Sequence, residues 1–335
     1  GLGDVYKRQY DKGLDRFDPQ TGRFAHTRQG LIDDRGLPHD RVRAIYQDRD
    51  GVIWIATDFG LAEWSKDEDR FIGYKHQPTH RTSLSDNRVM SLYQDRGGVL
   101  WVGTCAGVDK WNLLTGAFAH YQHDPNDPSQ LSGNVVNGFA EDRSGSIWVG
   151  TYGNGLNRLD PATDSFEHFQ HDPLKPGSLG DDRVMSLLVD SSGVLWIGTM
   201  SQGLDRFNAA DRTFTHFRND PENPQSLSSN AVTVIFEDSK GILWVGTYRG
   251  GLNRFDRKTE SFVHYRFDAS RPTSLSTDRV LAIYETRDGA LWIGTAGGGL
   301  NRFDRETGAF TLYRHDPVDA ASLSSDVAWS ILEDR

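Results

Sequence analysis

The sequence holds one cysteine in 335 residues. A single thiol cannot form an internal disulfide, so a disulfide-stapled scaffold and a cysteine-based zinc site are excluded. Basic charge is also scarce. Lys+Arg number 37 against 47 Asp+Glu, a formal net charge of −10. That balance argues against general nucleic-acid binding, because phosphate neutralisation needs a basic surface. No apolar run approaches the roughly 20 residues of a membrane helix, and no signal-peptide pattern is present. At roughly 150 residues per domain, the length suggests two domains or one large β domain. What is abundant is glycine, with 35 residues, and tryptophan, with 9. An average globular composition explains neither.

An internal repeat explains both. A W-x-[GA]-T motif begins at Trp54, Trp101, Trp148, Trp196, Trp244 and Trp292, in steps of 47, 47, 48, 48 and 48 residues. Leu-Ser-type turns keep the same beat at Leu37, Leu84, Leu131, Leu179, Leu227, Leu275 and Leu323. So does the glycine of a G-[LV]-x-[REK]-[FLW] motif, at Gly13, Gly60, Gly107, Gly155, Gly203, Gly251 and Gly299. Only the step from Trp to Gly varies, 6 residues in the first two copies and 7 afterwards. One surface loop therefore tolerates length change while the rest of the unit does not.

Each unit reads as four short strands. In the last full copy these are Val280 to Tyr284, Leu291 to Thr295, Leu300 to Phe303 and a strand beginning at Phe310. Glycine-bearing turns separate them. Four strands in about 48 residues is the blade of a β-propeller, and no stretch shows a helical period of 3.6. The expected fold is all-β, a seven-bladed β-propeller built from ~48-residue four-stranded repeats. The motif glycine lets a neighbouring strand approach, and the tryptophan plate fills the space between blades.

Both ends are expected to fall in mid-blade. Ile331 to Arg335 matches the end of a first strand without the W-x-G-T strand that should follow. Residues 1–9 do not match the repeat, although Tyr6, Arg8 and Gln9 stand in its Trp, Gly and Thr registers. They are either foreign sequence or a degenerate strand, and 10–335 form the propeller of seven units. In a closed ring, the first strand at 327–334 would join the second to fourth strands from the N-terminus in one composite blade, leaving no free edge.

The pattern V-x-x-I-x-E-D-x-x-G-x-L-W-x-G-T-x-x-G-G-L-x-R-F-D runs from Val232 to Asp256. It resembles the two-component regulator propeller repeat, and the resemblance covers Tyr10 to Arg335. That family implies an extracytoplasmic, periplasmic sensor of a bacterial membrane-bound receptor, whose output module is a histidine kinase or diguanylate cyclase elsewhere in the full-length chain. It implies an oligosaccharide or other small ligand, and no enzyme activity in the propeller itself. A homodimer is compatible with signalling through changed packing. A looser likeness is to propeller lyases sharing a D-G-x-L-W element, which need a catalytic histidine and a metal. A protein-interaction scaffold is the other alternative.

The loop after W-x-G-T differs most between copies, and loops carry function disproportionately. Phe59, Tyr152 and Tyr248 are candidates for stacking on sugar rings. Asp58, Asn154, Gln202 and Arg249 are candidates for hydrogen bonds to hydroxyls or a uronate. The matching loop of the first unit is Tyr10-Asp11-Lys12. Histidines recur at His26, His120, His168, His216 and His264, but in separate blades, too far apart to share a metal with bonds near 2 Å. His123, His171 and His315 form a second dispersed register. Arg16, Arg158, Arg206, Arg254 and Arg302 read as a solvated ladder with nearby aspartates. The Asp-x-x-Gly turns offer too few oxygens for calcium. Cys105 has no histidine fixed near it by spacing, so it is not read as a nucleophile. The expectation is no catalytic residue, no metal and no cofactor.

Overall fold

The structure is a computed structural model that describes residues 5–9, 12–18, 21–28, 36–65, 68, 70–112 and 115–334. All of its regular elements are strands among the described residues. In the blade spanning 136–169, the strands are Val136–Glu141, Ile147–Thr151, Leu156–Asp160 and Ser165–Phe169, paired antiparallel in that order. The same meander recurs at 42–74, 89–121, 184–217, 232–265 and 280–313. We number these blades one to six along the chain, so 136–169 is blade three.

The expectation of seven blades, each a ~48-residue four-stranded repeat, is corrected: six such contiguous blades form rather than seven, and one further four-stranded sheet is composite. The remaining strands come from opposite ends of the chain. Ala328–Glu333 pairs with Val5–Gln9, which pairs with Leu14–Asp18, which pairs with Arg23–Thr27. This composite sheet lies between blade six and blade one. The physical reason is edge pairing. The amides and carbonyls along one edge of strand Ala328–Glu333 are met by strand Val5–Gln9, which leaves that edge paired. Tyr6 opposes Arg16 there, as Trp148 opposes Arg158 in blade three.

The first strand of each blade is innermost and touches the first strand of the next. A bulge after its first residue interrupts the ladder in every blade, as between Val136 and Gly138. The second strand is buried along its whole length. Its tryptophan packs across the blade interface. Trp54 of blade one meets Leu100, Val102, Trp111 and Phe118 of blade two. Trp196 of blade four meets Leu243, Val245, Phe255 and Phe262 of blade five. The glycine two residues after the tryptophan is needed for that approach. A Cβ on Gly150 would lie 2.5 Å from Cγ1 of Val184 in the next blade. The repeat therefore stores its core between blades, and no blade is buried alone.

Candidate functional site

Two sets of connections share one end of the ring: the loop from second to third strand, and the run from each fourth strand to the next first strand. The repeat stitches them together. The Gly155 amide donates to the Asp182 carbonyl of the next blade at 2.9 Å, and Gly203 and Gly251 do the same to Asn230 and Asp278. These glycines have φ near +75° to +90° and a carbonyl within 2.4 Å of where a Cβ would be, so no other residue fits. The stitching holds the loop base and leaves the tip free to vary.

The tips carry the predicted residues. Phe59, Tyr152 and Tyr248 are exposed at 48%, 43% and 38%, as large apolar groups in the core are not. Met200 joins them at 38%. Asn154 and Arg249 are exposed and Gln202 is half-buried. Asn154 is partly engaged, since its carbonyl accepts the Ser132 hydroxyl at 2.7 Å. Gln202 is anchored by its amide to the Thr199 hydroxyl at 3.1 Å. Asp58 is not free to meet a ligand. Arg43 grips both its oxygens, at 2.5 and 3.0 Å, and Arg41 stands 3.7 Å away. Burial works to raise the Asp58 pKa, but the Arg43 hydrogen bond and the two arginine charges outweigh it and leave the carboxyl below its ordinary value. Tyr10 and Asp11 lie outside the described residues.

One set of groups escaped the sequence reading. Arg41, Arg88, Arg183 and Arg279 each stand just before a first strand. Their carbonyls accept the amides of Asp58, Cys105, Met200 and Ala296, which places all four beside the variable loops. Arg279 lies over the Tyr248 ring of the preceding blade, 5.9 Å from its centroid. Arg183 forms a fixed cluster with Asp181 and Ser201, at 3.1 and 2.7 Å. Burial would raise Asp181, but its bonds to Arg183 and Ser201 prevail and hold it low. The signal in the sequence was the recurring [DN]-R-V at 40–42, 87–89, 182–184 and 278–280.

The histidines have structural partners. His120 and His216 bond Asp109 and Asp205 through Nδ1 at 2.7 and 2.6 Å, and a carbonyl of the preceding connection through Nε2. Among the described residues, His168 and His264 meet such a carbonyl alone, at 2.7 Å, and oppose Asn157 and Asn253. The hydrogen bond to aspartate raises the pKa of His120 and His216. The second register is equally engaged, with His123 and His171 donating from Nδ1 to Leu131 and Leu179 carbonyls at 2.9 Å. The arginine ladder is modified: Arg158 and Arg206 lie across the rings of Trp148 and Trp196 at 5.5 and 5.9 Å. Cys105 is half-buried, and burial pushes its thiol pKa up, which disfavours the nucleophilic thiolate.

The aspartates of the Asp-x-x-Gly turns accept donors from the protein itself. Asp190 accepts the Trp196 indole N–H at 2.8 Å and the amides of Ser192 and Val194 at 3.0 and 2.9 Å. Asp48, Asp95, Asp142 and Asp238 receive their own tryptophans at 2.8 to 2.9 Å.

Comparison with known proteins places this geometry. The two-component regulator propeller family matches at residues 36–59, 83–106, 130–153, 178–201, 226–249 and 274–297. Each match runs from the Leu turn to the variable loop of one of the six blades. Among solved structures, the extracellular domain of the hybrid two-component system BT3049 from B. thetaiotaomicron is 29% identical with a TM-score of 0.76. The similarity covers 92% of this chain and 39% of that one, so the chain spans about two fifths of its relative. The extracellular domain of BT4673 from the same organism is similar at 24% identity and a TM-score of 0.56, over 93% of this chain and 45% of that one. Virginiamycin B lyase from Staphylococcus aureus shares the fold at 17% identity and a TM-score of 0.62, over 90% and 91% of the two chains. No curated protein sequence matches the chain. The six repeats of this chain belong to the two-component regulator propeller family.

Proposed function

We propose that this chain is the ligand-sensing propeller of a bacterial signalling receptor, and that its loop face binds an oligosaccharide bearing acidic groups. One observation carries the binding assignment: exposed aromatic rings and arginines share that face. Phe59, Tyr152 and Tyr248 supply planar apolar surface, and Arg88, Arg249 and Arg279 supply exposed cationic donors. Sugar rings present apolar faces for stacking, and a guanidinium meets a uronate carboxylate in two parallel hydrogen bonds. The likeness to the extracellular domain of a hybrid two-component system supports the sensing role and an extracytoplasmic location. No helix among the described residues is long and apolar enough to cross a membrane. The output module is proposed to lie elsewhere in the full-length protein.

Signal transfer would use the seams between blades. Arg279 of blade six covers Tyr248 of blade five, so a ligand held by both bears on that seam. A response follows only if the ligand prefers one of two packings of neighbouring blades, or of two copies in a dimer. The lyase reading has weaker support. The likeness to that enzyme shows the fold alone, and His26, His120, His168, His216 and His264 each serve a different sheet.

The test is calorimetry with oligogalacturonate and a neutral gluco-oligosaccharide of the same length. The acidic ligand should bind the wild type more tightly. Tyr152→Ala combined with Tyr248→Ala should abolish binding while the melting temperature stays near that of the wild type. Unchanged binding by that double variant would sink the loop-face assignment. Failure of a broad panel of acidic glycans to bind would sink the ligand class.

A further inference from the structure

A second surface stands apart from the loop tips, on the outer side of the connection between blades five and six. In most connections the residue two after the fourth strand reaches back to the carbonyl of the Leu turn. His76, His123, His171 and His315 do so through Nδ1, and Asn219 through its amide, at 2.5 to 2.9 Å. In this connection the position is Phe267, which cannot donate and is 50% exposed.

A different register departs at the same place. His26, His120, His168, His216 and His264 bond a connection carbonyl from the fourth strand. In blade six the matching residue is Leu312, opposite Asn301 as His168 is opposite Asn157. Two polar registers thus turn apolar against one segment. Together with Leu275 and Pro272 they line a groove of about 490 Å³. That volume lies in the range of small-molecule sites.

Its edges are cationic. Arg271 and Arg314 line the groove and are exposed. Neither guanidinium belongs to an ion pair among the described residues. Asp268 is the acid at the rim; it accepts the amide and hydroxyl of Ser270 at 2.9 and 2.6 Å and also feels the charge of Arg271, which leaves Arg314 as the cation it does not hold. An apolar floor with two cations at its edge fits one chemistry. We infer that the groove formed by Phe267, Leu275 and Leu312 under Arg271 and Arg314 binds a small organic anion, an apolar ring or chain carrying one carboxylate or sulfonate. The apolar body covers Phe267 and Leu312, and the anionic group meets the guanidinium pair in a charge-assisted hydrogen bond. This site is independent of the loop-face proposal and shares no residue with it.

The experiment uses anilinonaphthalene sulfonate as probe and N-phenylnaphthylamine as its uncharged counterpart, followed by fluorescence titration of the whole chain. One equivalent of the sulfonate should bind. Phe267→His combined with Leu312→His installs the histidines that most other blades carry, and should weaken it about tenfold or more. Arg271→Gln with Arg314→Gln should weaken the sulfonate by a similar factor and leave the uncharged dye unaffected. Unchanged sulfonate binding in either double variant overturns the proposal, as does no binding to the wild type. If the histidine variant does not fold, the glutamine variant decides alone, since its residues are exposed.

Discussion

The two ends of the propeller use the same repeat differently. At the loop end, side chains differ from blade to blade and several large ones stand in solvent. At the opposite end, where the tight hairpin turns lie, the polar residues are nearly uniform and hold blades together. Asp190 of blade four accepts Trp196 of its own blade and Arg257 of blade five, at 2.8 and 2.7 Å. Asp238 repeats the arrangement with Trp244 and Arg305 of blade six. Where a first strand ends in an acid, that acid accepts a turn amide of the preceding blade, and Gln94 does the same in blade two. Glu141, Glu237, Glu285 and Glu333 do so at 2.6 to 2.7 Å. A ring needs every seam closed, so the turn end allows little variation. The loop end is stitched by main-chain bonds from a required glycine, which leave the side chains of the loop tip free to vary.

That contrast can be broken most forcefully at the seams. Trp196→Ala removes a plate that is 1% exposed and packed on blade five. It should cost about 3–5 kcal/mol, read by urea denaturation. A loss comparable to that of a loop-tip substitution, within about 0.5 kcal/mol, would end the distinction between the two ends. Asp190→Ala leaves the Trp196 indole and the Arg257 guanidinium without their acceptor. It should cost about 1–3 kcal/mol, and Arg257→Ala should cost less when added to it than alone, because the two share one contact while Arg257 also donates to Glu237 at 2.8 Å. Full additivity in that double-variant cycle would show the latch to be no unit.

The smallest effect is the pH profile. Asp190 is pushed down to about 2: burial opposes this, but its bonds to Ser192, Trp196 and Arg257 prevail. Its contribution is present above the ordinary carboxylate pKa and is lost as pH falls toward 2. His120 and His216 are raised by Asp109 and Asp205. Their contribution is complete below the ordinary histidine pKa of about 6.5 and is lost as pH rises through the higher folded value. Stability should therefore crest between about pH 4 and 6.5 in thermal melts. Asp205→Asn, which copies blade three, should flatten the alkaline side. An unchanged alkaline limb would remove the histidines from this account.

Much of the architecture is legible in the spacing. The W-x-G-T and Leu-turn registers mark the strands because each is a steric requirement of the seam: a plate, a missing Cβ, a buried Leu. The loop tips are legible as candidates because they are where the copies differ. Their roles are less so. Asp58 looks like a ligand group in sequence, yet Arg43 consumes it, and only folding brings residues 43 and 58 together. Arg41, Arg88, Arg183 and Arg279 recur visibly but gain meaning only when first strands converge beside the loops.

By itself, then, the sequence determines the repeat, its four strands, the all-β class and the acidic, disulfide-free character of the chain. These follow from local periodicity and composition. Tertiary structure alone decided three things. It paired Val5–Gln9 with Ala328–Glu333 in a composite sheet that the repeat register allowed but did not require. It assigned the turn aspartates to indoles and neighbouring arginines. It set Phe267 against Leu312 across 45 residues of chain, in a groove neither register announces. The reason is common to all three: in a propeller the unit of packing is the seam between blades, and a seam has no counterpart in contiguous sequence.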